Sequence, residues 1–409
     1  MKQLIAMCIA ALCMAGAAHG GDAPQFRGIG REGLFEESGL LKKWPIDGPP
    51  VAWVAEGMGA GYSSPAVAGG TIYVTGKGED GQGYLSLLDL KGKLKKKIPY
   101  GPETDERQAT GSRGTPTVDG DRVYIISALG VVSCLHMPDG AKMWEVDMTK
   151  DFGAELPRWH FAESVLIDGP KAIFTPGSPS AGLVAVNKLT GALIWKSESF
   201  SKKASYCAPR AVDHGGRRMI LSMTGKAVVG LDGKTGKVLW KYGHTTDYDI
   251  HAVAPIYRDG LVYYTAGYGS GGGALKLTAD GSGVRPAWRD ATLDCQHHGV
   301  IPLDGYIYGT GHKQRALICL DMKTGEIAWR ANEVSQGMIV YADGMLYVYE
   351  GPRKGVVNLV KATPTGFERT GSFTVTQGTG KHWAHPAIAN GKLYIRHGDA
   401  LIAYNIATK

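Results

Sequence analysis

The sequence predicts an all-β fold, an eight-bladed β-propeller of four-stranded blades, on three observations. Glycine accounts for 59 of 409 residues, roughly twice its average usage, which favours many tight turns between short strands. A Thr-Gly-x-x-x-Trp pattern recurs, with 51, 45, 48 and 41 residues between successive tryptophans, a period typical of propeller blades. A short hairpin around an Asp-Gly or Asn-Gly turn recurs with the same period. One large domain is therefore favoured over the two or three that length alone suggests.

The tryptophan pattern has the frame small-x-Asp/Asn-x-x-Thr-Gly-x-x-x-Trp. Its copies, one of them looser, end at Trp144, Trp195, Trp240, Trp288 and Trp329. A tryptophan at the end of an outer strand packs on the neighbouring blade while its indole N–H donates to a backbone carbonyl. We therefore predict a structural role for these tryptophans and for Trp53, and no role in ligand binding.

The hairpin marker supplies two more strands to each unit, so that every unit has the four strands of a blade. Its clearest copies are Ser64–Tyr73, Thr115–Tyr124, Ala254–Tyr263 and His385–Tyr394. The last unit ends at Lys409 without a Thr-Gly-x-x-x-Trp strand, whereas Gly48–Trp53 supplies one. We predict that this N-terminal strand completes the last blade and closes the ring, which removes two exposed sheet edges. The propeller domain would then span residues 48–409, after a lead-in at residues 21–47.

The N-terminus has the pattern of a secretory leader. Lys2 precedes the apolar run Leu4–Ala18, and Ala18-His19-Gly20 resembles a cleavage site. We predict that residues 1–20 are a signal peptide and that the protein is periplasmic or secreted. No later segment has the 18 apolar residues of a membrane span. The net charge of +7, or +6 without Lys2, is too mild to indicate a nucleic acid partner.

The cysteines argue against a disulfide framework. Four remain beyond the leader, Cys134, Cys207, Cys295 and Cys319, too few for a chain of this length. Cys134 and Cys319 have the same register in distant blades, so we predict small core residues there. Cys207 and Cys295 belong to one mouth of the channel, where a disulfide can form but is not favoured.

The repeat also carries a family resemblance. Three segments, Thr190–Trp195, Thr235–Trp240 and Thr324–Trp329, resemble the tryptophan-docking repeat of the pyrroloquinoline-quinone-type (PQQ-type), quinoprotein alcohol dehydrogenase-like β-propeller proteins. The resemblance covers nearly the whole mature chain and implies a propeller. The family includes quinone-dependent dehydrogenases and non-enzymatic scaffolds similar to the β-barrel assembly lipoprotein of the outer membrane. Its dehydrogenases hold the quinone against disulfide-bonded adjacent cysteines, with Ca²⁺ bound by Glu, Asn and Asp. This sequence has no adjacent cysteines, so we transfer no cofactor-binding residue and do not expect PQQ.

Candidate functional residues lie just before each hairpin, where the chain returns to the axis and surrounds one mouth of the channel. Six of the twelve histidines fall there, and imidazole binds borderline divalent metals and transfers protons near neutral pH. The candidate metal ligands are His160, His251, His297, His298, His382 and His385. The candidate catalytic residues are His251, His297, Asp249 and Glu163. The candidate ligand-binding residues are Arg113, Arg158, Trp159, Arg210, Lys381 and Trp383, which offer cations and stacking surfaces.

Three classes of function remain open. In the first, the mouth binds or transforms a small polar ligand of the carbohydrate or polyol kind, with oxidoreductase chemistry if the protein is a PQQ-type enzyme. In the second, a divalent metal held by the histidines serves a lyase or hydrolase. In the third, the propeller is a scaffold for other envelope proteins. A ring of polar groups that only stabilises the channel is the structural alternative to all three.

Overall fold

The computed structural model describes residues 21–200 and 203–408, so the predicted signal peptide at residues 1–20 lies outside the described residues. The described chain is almost entirely β-structure, with 33 strands, one short helix, α1 (Met148–Phe152), and one 3₁₀ turn, Asp247–Asp249. Two strands precede the first blade, β1 (Leu34–Phe35) and β2 (Val51–Ala55). Neither helical element has the length and apolarity needed to cross a membrane, and no other helix occurs in the described ranges.

Each blade is an antiparallel sheet whose strands follow one another from the axis outward. Blade 1 consists of β3 (Ala66–Ala68), β4 (Thr71–Lys77), β5 (Gln82–Asp89) and β6 (Leu94–Pro102). Blade 2 consists of β7 (Thr117–Asp119), β8 (Arg122–Ile126), β9 (Val131–His136) and β10 (Lys142–Asp147). Blade 3 consists of β11 (Leu166–Asp168), β12 (Lys171–Phe174), β13 (Val184–Asn187) and β14 (Leu193–Lys196). Blade 4 consists of β15 (Arg210–His214), β16 (Arg217–Thr224), β17 (Ala227–Asp232) and β18 (Val238–Gly243).

The remaining blades repeat this plan. Blade 5 consists of β19 (Ile256–Arg258), β20 (Leu261–Ala266), β21 (Gly271–Leu277) and β22 (Val284–Asp290). Blade 6 consists of β23 (Val300–Leu303), β24 (Tyr306–Thr310), β25 (Leu317–Asp321) and β26 (Ile327–Ala331). Blade 7 consists of β27 (Gly337–Ala342), β28 (Met345–Glu350), β29 (Val356–Lys361) and β30 (Arg369–Thr374). Blade 8 consists of β31 (Ala387–Ala389), β32 (Lys392–His397), β33 (Ala400–Asn405) and β2, which pairs antiparallel with β33. The predicted eight-bladed fold and its closure by the N-terminal strand are confirmed.

The tryptophans dock as the sequence predicts. The glycine of each Thr-Gly turn has a positive φ and makes room for the tryptophan of the preceding blade: a Cβ on Gly191 would lie 2.9 Å from the Trp144 ring, and one on Gly325 would lie 2.5 Å from the Trp288 ring. Four indole N–H groups donate to carbonyls of the next blade: Trp53 to Leu90 (3.0 Å), Trp144 to Lys188 (2.9 Å), Trp288 to Met322 (3.1 Å) and Trp329 to Thr363 (2.8 Å). The indoles of Trp195 and Trp240 have no such partner within the described residues.

Buried apolar residues fill the spaces between neighbouring blades. One cluster joins Tyr124 and Val132 of blade 2 to Ala172 and Phe174 of blade 3, and equivalent clusters join the other neighbours. Cys134 and Cys319 are completely buried in two of them, as predicted. All four described cysteines are free, so Cys207 and Cys295 form no disulfide.

The lead-in at residues 21–47 is an integral part of the propeller, which the sequence did not indicate. Ala23 forms a β-bridge with Val67 of blade 1, and β1 adds a parallel strand to the inner edge of blade 7. The carboxylate of Glu37 accepts the backbone N–H groups of Asn390 and Gly391 in blade 8, at 2.6 and 3.0 Å. Hydrogen bonds and ion pairs also join the lead-in to blades 2, 4, 5 and 6 and to Ser164 just before blade 3, so this segment crosses the centre of the ring and gives the channel a floor.

Candidate functional site

A funnel opens at the predicted mouth of the channel. Its cavity has a volume of about 410 Å³. Its aromatic walls are Phe26, Tyr62, Trp159, Tyr206, Tyr268 and Trp383, and its polar side chains include Gln108, Arg113, Gln296, His297, His312, Gln336 and His385. Phe26 belongs to the lead-in, so the lead-in provides part of the funnel wall. Five predicted site residues line this cavity: Arg113, Trp159, His297, Trp383 and His385.

The two funnel tryptophans are held in place by ring contacts. The Trp383 ring lies 5.4 Å from Tyr62 and 6.0 Å from His297, measured between centroids. Across the funnel, the Trp159 ring lies 6.3 Å from Tyr206, and its indole N–H donates to Gln108 Oε1 at 2.7 Å. Because both rings are fixed by neighbours, they present preformed apolar surfaces.

Two predicted cationic ligand-binding residues, Lys381 and Arg158, do not line the funnel but support its tryptophans. Lys381 Nζ lies 4.2 Å from the Trp383 ring centroid and donates to the Gln108 carbonyl at 2.7 Å. The Arg158 guanidinium lies 5.1 Å from the Trp159 ring centroid. Both are cation–π contacts, so each cation covers a tryptophan rather than facing the cavity.

Arg113 is a wall residue whose hydrogen bonds are largely used within the protein. Its guanidinium donates to the carbonyls of Trp159 and Ala109 and lies 3.4 Å from the Glu106 carboxylate. Burial lowers the pKa of Arg113, and the nearby Glu106 opposes this shift. Arg113 therefore links the segment between blades 1 and 2, to which it belongs, to the backbone of Trp159.

His297 is the predicted catalytic residue that faces the cavity. Its Nε2 is buried and has no hydrogen-bond partner within the described residues. Burial, with a smaller contribution from His312, lowers the pKa of His297 to about 4. The ring is therefore neutral at neutral pH, and its Nε2 is available to donate or accept a hydrogen bond according to tautomer.

The tautomer of His385 follows from its partners. Arg27 Nη1 lies 3.1 Å from His385 Nδ1, and a guanidinium only donates, so Nδ1 accepts. His385 Nε2 lies 2.9 Å from the His297 carbonyl and must carry the proton. Burial, followed by the nearby Arg27 charge, holds the pKa of His385 well below its ordinary value. Both ring nitrogens are used, which leaves none for a metal.

The other predicted metal ligands lie in separate environments. His251 is completely buried, with Nε2 3.0 Å from His244 Nδ1, and burial lowers its pKa to about 3. His382 Nδ1 lies 2.5 Å from the Tyr349 hydroxyl. His160 Nδ1 lies 2.7 Å from the Thr104 hydroxyl. None of these three is among the lining residues of the funnel.

His298 is also turned away from the funnel. Its ring is buried beside that of His297, with 4.5 Å between centroids, and its Nδ1 has no partner within the described residues. Among those residues, no group of three or more His, Cys, Asp or Glu side chains is arranged to hold a metal ion. In the described chain His297, His298 and His385 therefore lie close together, but not in an arrangement that would hold a metal ion, and His160, His251 and His382 have other partners.

Three further candidates point elsewhere. Glu163 is buried, accepts the Thr175 backbone N–H at 2.6 Å, and burial raises its pKa to about 7. Asp249 is exposed on the 3₁₀ turn. Arg210 is buried beneath the funnel, where it binds Glu32 at 2.6 Å. None of them lines the funnel.

Several funnel residues are not among the predicted site residues, and four of them show why. Phe26 comes from the lead-in, and Gln108 from the long blade 1–2 connection. Tyr268 and His312 lie between the second and third strands of blades 5 and 6, and the Tyr268 N–H donates to His312 Nδ1 at 3.1 Å. The blade 1–2 connection, residues 103–116, is shorter than the blade 2–3 connection, residues 148–165, so its length did not mark Gln108.

The closed ring of four-stranded blades, the docked tryptophans and the funnel at the channel mouth define a PQQ-like β-propeller. The chain belongs to the family whose model, PQQ_2, is described as outer membrane protein assembly factor BamB and matches residues 93–331. No curated protein matches the sequence.

Solved structures have the same fold at low sequence identity. BamB from Moraxella catarrhalis has a TM-score of 0.62 and 14% identity, over 88% of this chain and 100% of that chain. The quinohemoprotein alcohol dehydrogenase from Comamonas testosteroni has a TM-score of 0.68 and 13% identity, over 95% of this chain and 81% of that chain. A europium-containing methanol dehydrogenase has a TM-score of 0.63 and 14% identity, over 92% of this chain and 90% of that chain. These similarities establish the fold and not the activity.

The funnel residues do not fit the quinone arrangement that the resemblance implies. No cysteine lines the cavity, and Cys207 and Cys295 are buried free thiols. Within the part of the chain that the structure describes, no aspartate, glutamate or asparagine lines it either, whereas Ca²⁺ requires several oxygen ligands. We therefore derive no chemistry through PQQ in this chain.

Proposed function

We propose that this protein is exported and binds a small, hydroxyl-rich ligand of the carbohydrate or polyol class in its funnel. The observation that carries this proposal is the pairing of fixed aromatic surfaces, Trp383 and Trp159, with the unpartnered Nε2 of His297. Sugars have apolar faces that stack on aromatic rings and hydroxyl groups that need hydrogen-bond partners.

The size and composition of the cavity support this ligand class. A volume of about 410 Å³ lies within the usual range of small-molecule sites, which combine apolar walls with a few polar groups. Gln296, Gln336 and His312 supply additional polar atoms around His297. The neutral state of His297 suits an uncharged ligand, because it adds no buried charge that would have to be compensated.

We propose binding rather than hydrolysis. Glycoside hydrolysis commonly uses two carboxyl groups on either side of the scissile bond, and no carboxylate of residues 21–200 or 203–408 lines the funnel. The buried Glu163 and the exposed Asp249 both lie outside this cavity. His297 remains the residue available for proton transfer.

Calorimetric titration tests the proposal with a panel of monosaccharides, disaccharides and polyols. We expect at least one ligand to bind with one site per chain, and Trp383→Leu and His297→Phe each to weaken it about tenfold or more. The matched control is His214→Gln, because His214 bonds Tyr257 and Thr278 away from the funnel. Absence of binding across the panel, or equal binding by all three variants, would contradict the proposal.

A scaffold function is the second candidate, and the family model supports it. Exposed apolar side chains lie on the outer part of blades 2 and 3, including Leu193 at 53% and Ile194 at 44% exposure, with Met143 and Leu189 also exposed. Exposed apolar patches often mark protein interaction surfaces. Crosslinking in envelope fractions tests this function. A partner lost on Leu193→Lys with Ile194→Lys, but kept on Trp383→Leu, would favour the scaffold.

A further inference from the structure

Three arginines form a buried cluster beneath the funnel. Arg27 and Arg31 belong to the lead-in and Arg210 to blade 4, and their exposed fractions are 7%, 4% and 4%. All three line a second, smaller cavity of about 20 Å³. We call Arg27, Arg31 and Arg210 the arginine cluster.

The hydrogen bonds of the cluster leave several donors unused. Arg27 donates to the carbonyls of Ile339 and Val300 at 2.9 and 2.7 Å. Arg31 uses only Nη2, which donates to the Ser164 carbonyl at 2.7 Å. Its Nε and Nη1 are buried without a partner within the described residues, and so is Nε of Arg210. Unsatisfied buried donors destabilise a fold, and charged ones do so most.

The charges of the cluster are also incompletely balanced. Arg210 pairs with Glu32 at 2.6 Å, but Glu32 is shared with Arg258 at 2.5 Å. The other nearby acid, Glu163, forms no ion pair with Arg31 within 4 Å among the described residues. Burial lowers the pKa of Arg31 to about 10 and that of Arg27 to about 9, so both remain cationic at neutral pH. Buried cations without counter-charges are costly.

We propose that the cavity of the arginine cluster binds one halide ion, held by the free N–H groups of Arg31 and Arg210. An anion would pair with the unpartnered N–H donors, because it accepts hydrogen bonds, and it would also balance the positive charge of the arginine cluster. A cavity of about 20 Å³ accommodates a single water-sized occupant, which selects a monatomic ion over phosphate, sulfate or a carboxylate. The remaining walls combine apolar residues, including Ala208, Ala254 and Ile256, with His297 and His385, which this cavity shares with the funnel. The arginines are the cationic residues of this lining.

The first test measures thermal unfolding of the whole mature chain at constant ionic strength while sodium gluconate is replaced by sodium chloride or bromide. We expect the midpoint to rise with halide concentration and then to saturate, as for a ligand that binds only the folded state. Arg31→Gln removes the free donors and should abolish the rise. Ala254→Val should reduce the rise by filling the cavity without changing any charge.

The matched control is Arg218→Gln, because Arg218 pairs with Asp168 and Asp213 outside the cluster and should leave the halide response intact. In crystals grown with bromide, anomalous scattering should show one bromide peak between Arg31 and Arg210. A water molecule in place of bromide, a midpoint indifferent to halide, or a halide response that Arg31→Gln leaves unchanged would each overturn the proposal. If Arg31→Gln fails to fold, Ala254→Val and the bromide map decide the question. None of these measurements depends on a ligand in the funnel.

Discussion

The protein should lose stability steeply in mild acid, because several histidines are buried in the neutral form. Burial lowers the pKa of His251 to about 3 and that of His297 to about 4, and holds those of His298 and His385 well below the ordinary 6.5. As the pH falls, these side chains are protonated at a higher pH in the unfolded chain than in the folded protein. The stability they contribute is therefore present above about pH 6.5 and is lost as the pH falls below that value.

The size of the effect follows from linkage. Near pH 5.5 each such histidine is about nine-tenths protonated when unfolded, which gives a slope of about 1.2 kcal/mol per pH unit, or about 5 kcal/mol for the four. Glu163 opposes them. Burial raises its pKa from 4.5 to about 7, so the folded chain holds a proton that the unfolded chain has lost between those values. These five groups together give a net slope of about 3.8 kcal/mol per pH unit.

Urea denaturation, followed by tryptophan fluorescence between about pH 7 and pH 5, measures this slope. His251→Phe removes one titrating group and should flatten the dependence by about 1.2 kcal/mol per pH unit. Glu163→Gln should steepen it by a similar amount, because the amide oxygen still accepts the Thr175 N–H but no longer titrates. A wild-type stability that is flat over this range, or slopes that change in the same direction in both variants, would refute the reasoning.

Three further predictions follow from the packing. Gly191→Ala should lower the free energy of unfolding by about 2 kcal/mol in urea titrations, because Gly191 has a φ of 75° and its new Cβ would press on the Trp144 ring. Thiol reagents should label Cys207 and Cys295 only in denaturant, since burial raises their pKa values to about 11 and 12; rapid native labelling would contradict their burial. Arg27→Met should lower the free energy of unfolding by about 1–3 kcal/mol in urea titrations, because it leaves the buried carbonyls of Ile339 and Val300 without a donor; an unchanged or higher stability would contradict this prediction.

The propeller was predictable because its determinants are local and repeated. Gly191 and Trp144 belong to separate blades, yet each is identified by the same short frame in the sequence, and the truncated last repeat indicates how the ring closes. The lead-in was not predictable in this way. Arg27 and Glu37 each occur once and act through contacts with blades hundreds of residues away, so no periodic pattern marks them.

The sequence predicted where the funnel lies, but not which side chains of each connection face its cavity. In several connections every second residue faces the cavity, an alternation that extended backbone produces, although Tyr206, at a φ of 70°, is not extended. Alternate pairs accordingly line the cavity: Tyr62 and Ser64, Arg113 and Thr115, Tyr206 and Ala208, Ile250 and Ala252, and Trp383 and His385. The residues between them are buried and do not line it: Ser63, Gly114, Cys207, His251 and Ala384. His382, which precedes Trp383, is also buried outside the cavity. Without knowledge of this alternation, residue type alone could not separate His251 from a ligand-facing histidine.

The lead-in links the two inferred sites. Phe26 contributes to the funnel wall, and the adjacent Arg27 donates to His385, which in turn donates to the His297 carbonyl. The orientation of the residue proposed to bind ligand is thereby connected to the charge of the arginine cluster below it. A side chain at Gly33 or Gly299 would collide with the Arg27 guanidinium. Glycine at both positions therefore leaves the space that this arginine occupies. The buried Arg27 thereby joins the floor of the channel to the histidines of the funnel.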